Sequence, residues 1–407
     1  NLKGLGTCTE CPKGTNCANS TVFFKLEELP VRKHYYRFST SATEVYKCDS
    51  KSCNGGSTVV GRASCNKNAR GPLCSLCKKS YFQRDNGYCE HCSSSNVAQS
   101  LAAIFCIISI LAVAIALSRF IDTSSIQALL KKWFENNKFR FEWSALTVRT
   151  ILYNFQVVSK FSQLQDIEWP SPFKEFMQFM DLIALDFGTW FPGIKCVGSF
   201  SQYSTFMTWT VGPFVVSFGV IAVGAWMKVK KTGCALALAV RQATEDMAGP
   251  ALQILSLVHT IICVELFEIY DCDSFNIGAN ERKYMLKKNN HNEQRFLASD
   301  YSINCDTPTH KNYEKFGYFL IVVYVALVPS ALTWYKYCQK EGIGISSASP
   351  FSSIFGSFLL ESPFTQFAWW FDTVDLYYRL SMTGFLIVAS KSRNERLVAS
   401  VLISFVF

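Results

Sequence analysis

Long uncharged apolar runs alternate with polar stretches along the chain, except in its first quarter. Residues 97–117 (VAQSLAAIFCIISILAVAIAL) contain no charged side chain. A bilayer core about 30 Å thick takes about 20 apolar residues as a helix. Residues 206–227 and 316–335 repeat this pattern, and 144–164, 247–267 and 364–390 are apolar with polar interruptions. A further run opens at Leu397. The pattern predicts a mainly α membrane protein with at least seven transmembrane helices. Pro213 and Pro329 fall inside expected spans, where neighbouring helices re-satisfy the carbonyls that proline frees.

Residues 1–96 have no such run. They are polar and basic, and they hold ten of the 17 cysteines: Cys8, Cys11, Cys17, Cys48, Cys53, Cys65, Cys74, Cys77, Cys89 and Cys92. The chain therefore divides into a small β/loop cysteine-rich module, 1–96, and a multi-span helical domain, 97–407. Charged residues make up 17% of the whole, against about 25% in soluble domains. With no initiator Met and an end inside an apolar run, the sequence reads as a fragment or a mature chain, with further spans after residue 407.

Lys and Arg set the expected orientation, because short cytosolic loops are enriched in them. With the module outside, Arg119, Lys131, Lys132, Lys138 and Arg140 fall in one cytosolic loop, and Lys228, Lys230, Lys231 and Arg241 in another. The basic loop 391–396 does not follow the rule. Loops 166–204 and 271–315 are then extracellular. Within the first of these, 173–191 spaces its apolar residues as an amphipathic helix lying at the outer interface, between Trp169 and Trp190.

The stretch RGPLCSLCKKSYFQRDNGYCEHC (70–92) spaces two C-x-x-C pairs as zinc ligands are spaced. Three features favour disulfides instead. The module has an even number of cysteines, it carries the glycosylation sequon Asn19-Ser20-Thr21, and it ends beside a span on the expected outer face. Connectivity cannot be read from spacing. Cys272 and Cys305 bracket the 271–315 loop as a candidate disulfide. Cys196 has several possible partners: either of these, a module cysteine, or none.

CTECPKGTNC (8–17) resembles the ephrin-receptor-like cysteine-rich repeat, here as a single unit. Residues 70–92 resemble the EGF-like unit that precedes the first span in a large family of multi-pass surface proteins of protists and algae. NFQVVSKFSQLQDIEWPSPF (154–173), SDYSINCD (299–306) and WWFDTVDLYYRLSMTGFLIV (369–388) are similar to later segments of that family. The resemblance implies a TRP-like transmembrane region. It also implies a plasma-membrane or other surface-facing location, including cilia or flagella, with the N-terminus extracellular.

Ionisable side chains inside spans face the bundle interior, since each costs about 2.5–3.5 kcal/mol in hydrocarbon on insertion scales. Arg149, Glu265, Asp372, Asp375 and Arg379 form the expected intramembrane network, with Arg149 paired to Asp372 or Asp375. Asp372, Asp375 and Arg379 share one helical face. The network reads as a structural clasp or as an ion pathway.

No nucleotide loop, H-E-x-x-H or G-x-S-x-G motif occurs. No enzyme activity, cofactor or metal is expected. The net charge of +9 is spread without a single-sign stripe, which argues against nucleic acid as a partner. The expected partners are an extracellular protein or glycan, membrane lipid, and other subunits of a homo- or hetero-oligomer. The functional expectation is a sensor or receptor-like surface protein. The alternatives are a TRP-like cation channel subunit and a passive anchor for an extracellular structure.

Overall fold

The computed structural model describes residues 10–16, 25–48, 52–54, 58–83, 88–93, 149–159, 201–233, 235–278, 293–341, 370–389 and 393–406, plus isolated positions between 98 and 196. The chain is mostly helical, with a disulfide-rich N-terminal region of small strands. It forms two compact units. The first gathers 1–104, 191–200 and 272–312; the second gathers 105–190, 201–271 and 313–407. The boundary expected at residue 96 is thus only part of the division, because two segments distant in sequence fold with the module.

The first unit is built from short antiparallel pairs. β1 (Tyr35–Tyr36) pairs with β2 (Tyr46–Lys47), β3 (Ala69–Arg70) with β4 (Leu76–Cys77), and β5 (Tyr81–Gln83) with β6 (Cys89–His91). Strands of two or three residues bury too little to hold alone, and four disulfides reinforce them. Cys48 bonds Cys53, Cys65 bonds Cys74, Cys77 bonds Cys89 and Cys92 bonds Cys196. Cys11 is also disulfide-bonded. Cys8, Cys17 and the Asn19 sequon lie outside the described residues.

A three-stranded antiparallel sheet follows, in the order β7 (Cys272–Asn276), β8 (Glu293–Leu297), β9 (Asp300–Asn304). Cys272 bonds Cys305 across it. The sheet shares its core with the module. Phe275 packs against Phe38 and Tyr46 at centroid distances of 5.3 and 5.0 Å, and against Tyr301 at 5.5 Å. Ser39 Oγ donates to Ile277 O at 2.6 Å, and Asn276 N donates to Tyr46 Oη at 2.7 Å. These contacts explain why 272–312 belongs to the disulfide-rich unit rather than hanging as a loop of the helical one.

The second unit is helical. α1 (Gln202–Thr232) begins at Ser201, whose side chain accepts from Tyr203 N, and stops at Gly233, which takes a left-handed φ of 65°. Glycine adopts that conformation without a Cβ penalty. A short link leads to α2 (Leu236–Glu268). α3 (Pro308–Ile321) runs through a π-helical turn, Val322–Leu327, into α4 (Val328–Glu341). α5 (Phe371–Leu380), a second π-turn (Ser381–Phe385) and α6 (Leu386–Ala389) form another continuous rod, followed by α7 (Arg393–Val406). Residues 149–159 are helical as well. Phe206, Ile262, Leu266, Leu320, Tyr324, Leu380 and Ile387 meet in the core of this unit.

Among the described residues, two helices are long and apolar enough to cross a membrane: Gln202–Lys230 and Pro308–Cys338. Seven or more were expected. The run at 97–117, the end of 144–164 and the start of 364–390 lie outside the described residues, and α2 covers the run expected at 247–267. The interfacial helix expected at 173–191 also lies outside them, apart from Phe173 and Phe176.

Candidate functional site

The polar side chains of the helical unit converge on α5. Asp372 stands in its first turn and receives two cations: Arg149 Nη2 at 3.1 Å from one oxygen and Lys336 Nζ at 3.1 Å from the other. One turn on, Asp375 faces Arg379 Nε at 3.0 Å, an i, i+4 ion pair. Nε lacks hydrogen-bond geometry there, so the attraction is Coulombic. Arg379 is held from other directions too. Its Nη1 donates to Ser256 O at 3.2 Å and to Thr260 Oγ1 at 3.3 Å, and its guanidinium lies 3.8 Å from the centre of the Tyr153 ring. Tyr153 Oη in turn meets Ser256 Oγ at 3.3 Å. Three cations and two carboxylates thus share one site drawn from the 149–159 helix, α2, α4 and α5.

The cations Arg379 and Lys336 are buried, and the carboxylates Asp372 and Asp375 are partly exposed. Arg379 and Lys336 side chains are each 1% exposed. The gap lined by Arg149, Tyr153, Ser256, Asp372, Asp375 and Arg379 is too narrow for a water molecule. Buried ions of this kind hold only where each finds partners, because leaving one charge alone costs several kcal/mol.

A second polar line runs through the π-turn of α3–α4. Pro329 has no N–H to return to Val325 O, and Tyr377 Oη donates to that carbonyl at 3.1 Å. His259 Nε2 lies 3.0 Å from Tyr324 O, and Tyr324 Oη donates to Thr210 O at 2.5 Å. Neighbouring side chains thus supply the bonds that the irregular backbone leaves open, as expected for a proline within a span.

Four of the five residues expected in the charge network meet here: Arg149, Asp372, Asp375 and Arg379. Arg149 selects Asp372 rather than Asp375. Glu265 does not join them. It accepts from Gln202 Nε2 at 3.0 Å, beside Glu268, at the start of α1. Its position on α2 faces the α1 terminus, one helical turn past Thr260 and on another face. Sequence reasoning missed Lys336, which follows the apolar run 316–335 and reads as an interfacial lysine. It also missed Tyr153, Ser256 and Thr260, whose types carry no charge signal.

In the disulfide-rich unit each C-x-x-C is split between partners: Cys74 and Cys77 take Cys65 and Cys89, and Cys92 takes Cys196. Zinc would need the thiolates that these bonds consume. Of the partners left open for Cys196, the structure selects a module cysteine, Cys92. Cys272, Cys305 and His310 cluster tightly, but the two sulfurs bond each other, leaving the imidazole as the remaining donor. Tyr46 Oη donates to Glu44 at 2.5 Å, and burial pushes its pKa above the ordinary value.

Comparison of the chain with known protein families, with curated proteins and with solved structures finds no match.

Proposed function

We propose that the chain is a multi-pass membrane protein of the cell surface, with at least seven spans and its N-terminus outside. Its disulfide-rich ectodomain engages an extracellular partner, and its helices transmit or anchor that engagement. The resemblance to the protist and algal surface proteins supports the same architecture.

One observation carries the reading. The charge rule puts three segments outside: 1–96, 166–204 and 271–315. The first unit draws on those segments for the residues it gathers beyond the first span, 191–200 and 272–312: the Cys92–Cys196 disulfide ties in the first, and the second, closed by its own Cys272–Cys305 bond, packs Phe275 against Phe38 and Tyr46. Disulfides of this number belong to an oxidising compartment. The helices add a second support, because their polarity is inverted. Val215, Phe218 and Trp226 of α1 and Phe319, Val322 and Trp334 of α3–α4 are exposed, while Thr210, His259, Thr260, Lys336 and Arg379 are buried. Apolar outside and polar inside suits helices solvated by lipid.

The test is surface labelling. An impermeant amine reagent on intact cells is expected to modify Lys13 and Lys33 and to spare Lys228 and Lys230. Cross-linking on the same cells is then expected to recover a stoichiometric extracellular partner. Labelling of Lys228 with Lys13 protected overturns the orientation. An exposed module that recovers no partner removes the receptor reading. The remaining readings are then a passive anchor and a TRP-like cation channel subunit, which planar-bilayer current tells apart.

A further inference from the structure

The disulfide-rich unit carries an open cleft of about 350 Å3 near its N-terminus, lined by Lys13, Gly14, Thr15, Arg32 and Tyr35 together with the Cys11–Pro12 edge. One wall is the turn 12–15, closed by Thr15 N and Oγ1 donating to Pro12 O. The other is the segment 30–35. The walls are bonded to each other: Asn16 N donates to Pro30 O at 3.0 Å and Arg32 N to Gly14 O at 2.8 Å. Gly14 has φ +89°, and a Cβ there would strike the Tyr35 ring. Glycine therefore lets the ring lie close against the backbone.

The electrostatics are one-sided. Lys13 and Arg32 are both exposed, and among the described residues no carboxylate lines the cleft and neither cation is in an ion pair. In the helical unit, by contrast, Arg149, Lys336 and Arg379 each face a carboxylate. Two like charges held at one opening attract an anion, and an arginine fork matches the paired oxygens of a sulfate or carboxylate.

We propose that this cleft binds an acidic saccharide, with a sugar ring against Tyr35 and its sulfate or carboxylate held by Lys13 and Arg32. The proposal rests on the reading that this unit faces the outside. The cleft has the size of a small-ligand site. The C–H face of a sugar ring is weakly positive and meets the negative face of an aromatic ring. An acidic peptide would also answer the charge, but peptides that dock by backbone need a free strand edge. Here the N–H groups of Asn16 and Arg32 are already used between the walls.

The experiment uses the full chain in nanodiscs of neutral lipid. Four labelled probes are titrated: a sulfated hexasaccharide, a carboxylated one, a neutral one and a hexaglutamate peptide. Saturable binding is expected for the sulfated sugar, the carboxylated sugar or both, and these two arms identify the anion. The neutral sugar is expected not to bind. Lys13→Gln with Arg32→Gln should weaken binding by about tenfold or more. Tyr35→Leu should weaken the sugar and leave the peptide unchanged. Both cations are exposed, so the double variant keeps the fold, and its disulfide content checks that. The proposal is overturned by unchanged affinity in the double variant, by the peptide binding as tightly as the sugars, or by no acidic sugar binding. The titration does not depend on orientation. Binding by a unit that surface labelling finds inside overturns only the orientation. No binding by a unit found outside overturns only the cleft.

Discussion

Asp372 is the residue on which the buried charge site depends, because it pairs with both Arg149 and Lys336. Asp372→Asn removes a carboxylate that two buried cations share, which is expected to cost about 3–5 kcal/mol. Lys336→Met leaves Asp372 still paired with Arg149, so its cost should be clearly smaller. Thermal unfolding in detergent checks this order, and equal losses would show that Lys336 rather than Asp372 organises the site. Tyr46 gives a pH prediction in the other unit. Its pKa is raised by burial, so the folded state holds the phenol proton more tightly than the unfolded chain does. That contribution is complete below about pH 10, the ordinary tyrosine value, and is lost as pH rises through the folded value. Wild type should therefore lose stability relative to Tyr46→Phe above about pH 10, read by denaturant unfolding across alkaline pH. The acidic and basic members of the site were legible in the sequence because an ionisable residue stands out inside an apolar run. Lys336 was not, because it sits one residue past such a run, where a lysine ordinarily reaches for the interface.

The elements owe their packing to a few close approaches. Gly384, in the π-turn after α5, lies where a Cβ would come within 2.5 Å of the Phe267 ring and 3.2 Å of Cys263 O on α2. Gly384→Ala must push the two rods apart, and overpacking of this kind costs about 1–3 kcal/mol. A lowered unfolding midpoint checks it, whereas an unchanged one would mean that Phe267 turns aside freely. Between strands β7 and β9 the Cys272–Cys305 bond closes a sequence separation of 33. On the chain-entropy view a closure of that length contributes about 3–4 kcal/mol. The double serine variant should lose that amount and expose the 272–312 segment to limited proteolysis. The long helices were legible from apolar runs. The strands were not, since two or three residues carry no period to read. Cys92–Cys196 was not legible either, because its partners stand 104 residues apart and spacing says nothing about such a pair.

For the whole molecule, the buried charge site separates a sensor from a conductor. An ion path needs water or a relay of ligands through the helices, with carboxylates free to meet the ion. Here both oxygens of Asp372 are taken by cations, Asp375 faces Arg379, and the gap between them admits no water. Three cations against two carboxylates also leave the site positive, which repels a cation. The arrangement described supports the clasp reading, with side chains of the 149–159 helix, α2, α4 and α5 held together. Purified full-length protein in a planar bilayer is expected to pass no unitary current at rest. Asp372→Asn is expected to change stability without opening a path. Unitary cation currents whose selectivity shifts in Asp372→Asn or Glu265→Gln would show the opposite. The clasp would then be one state of a gate, and the disulfide-rich unit, continuous in sequence with several helices, would be the part that an outside stimulus pulls on. Silence in a preparation shown to be folded and oriented keeps the helices as a scaffold and leaves the chemistry to the disulfide-rich unit.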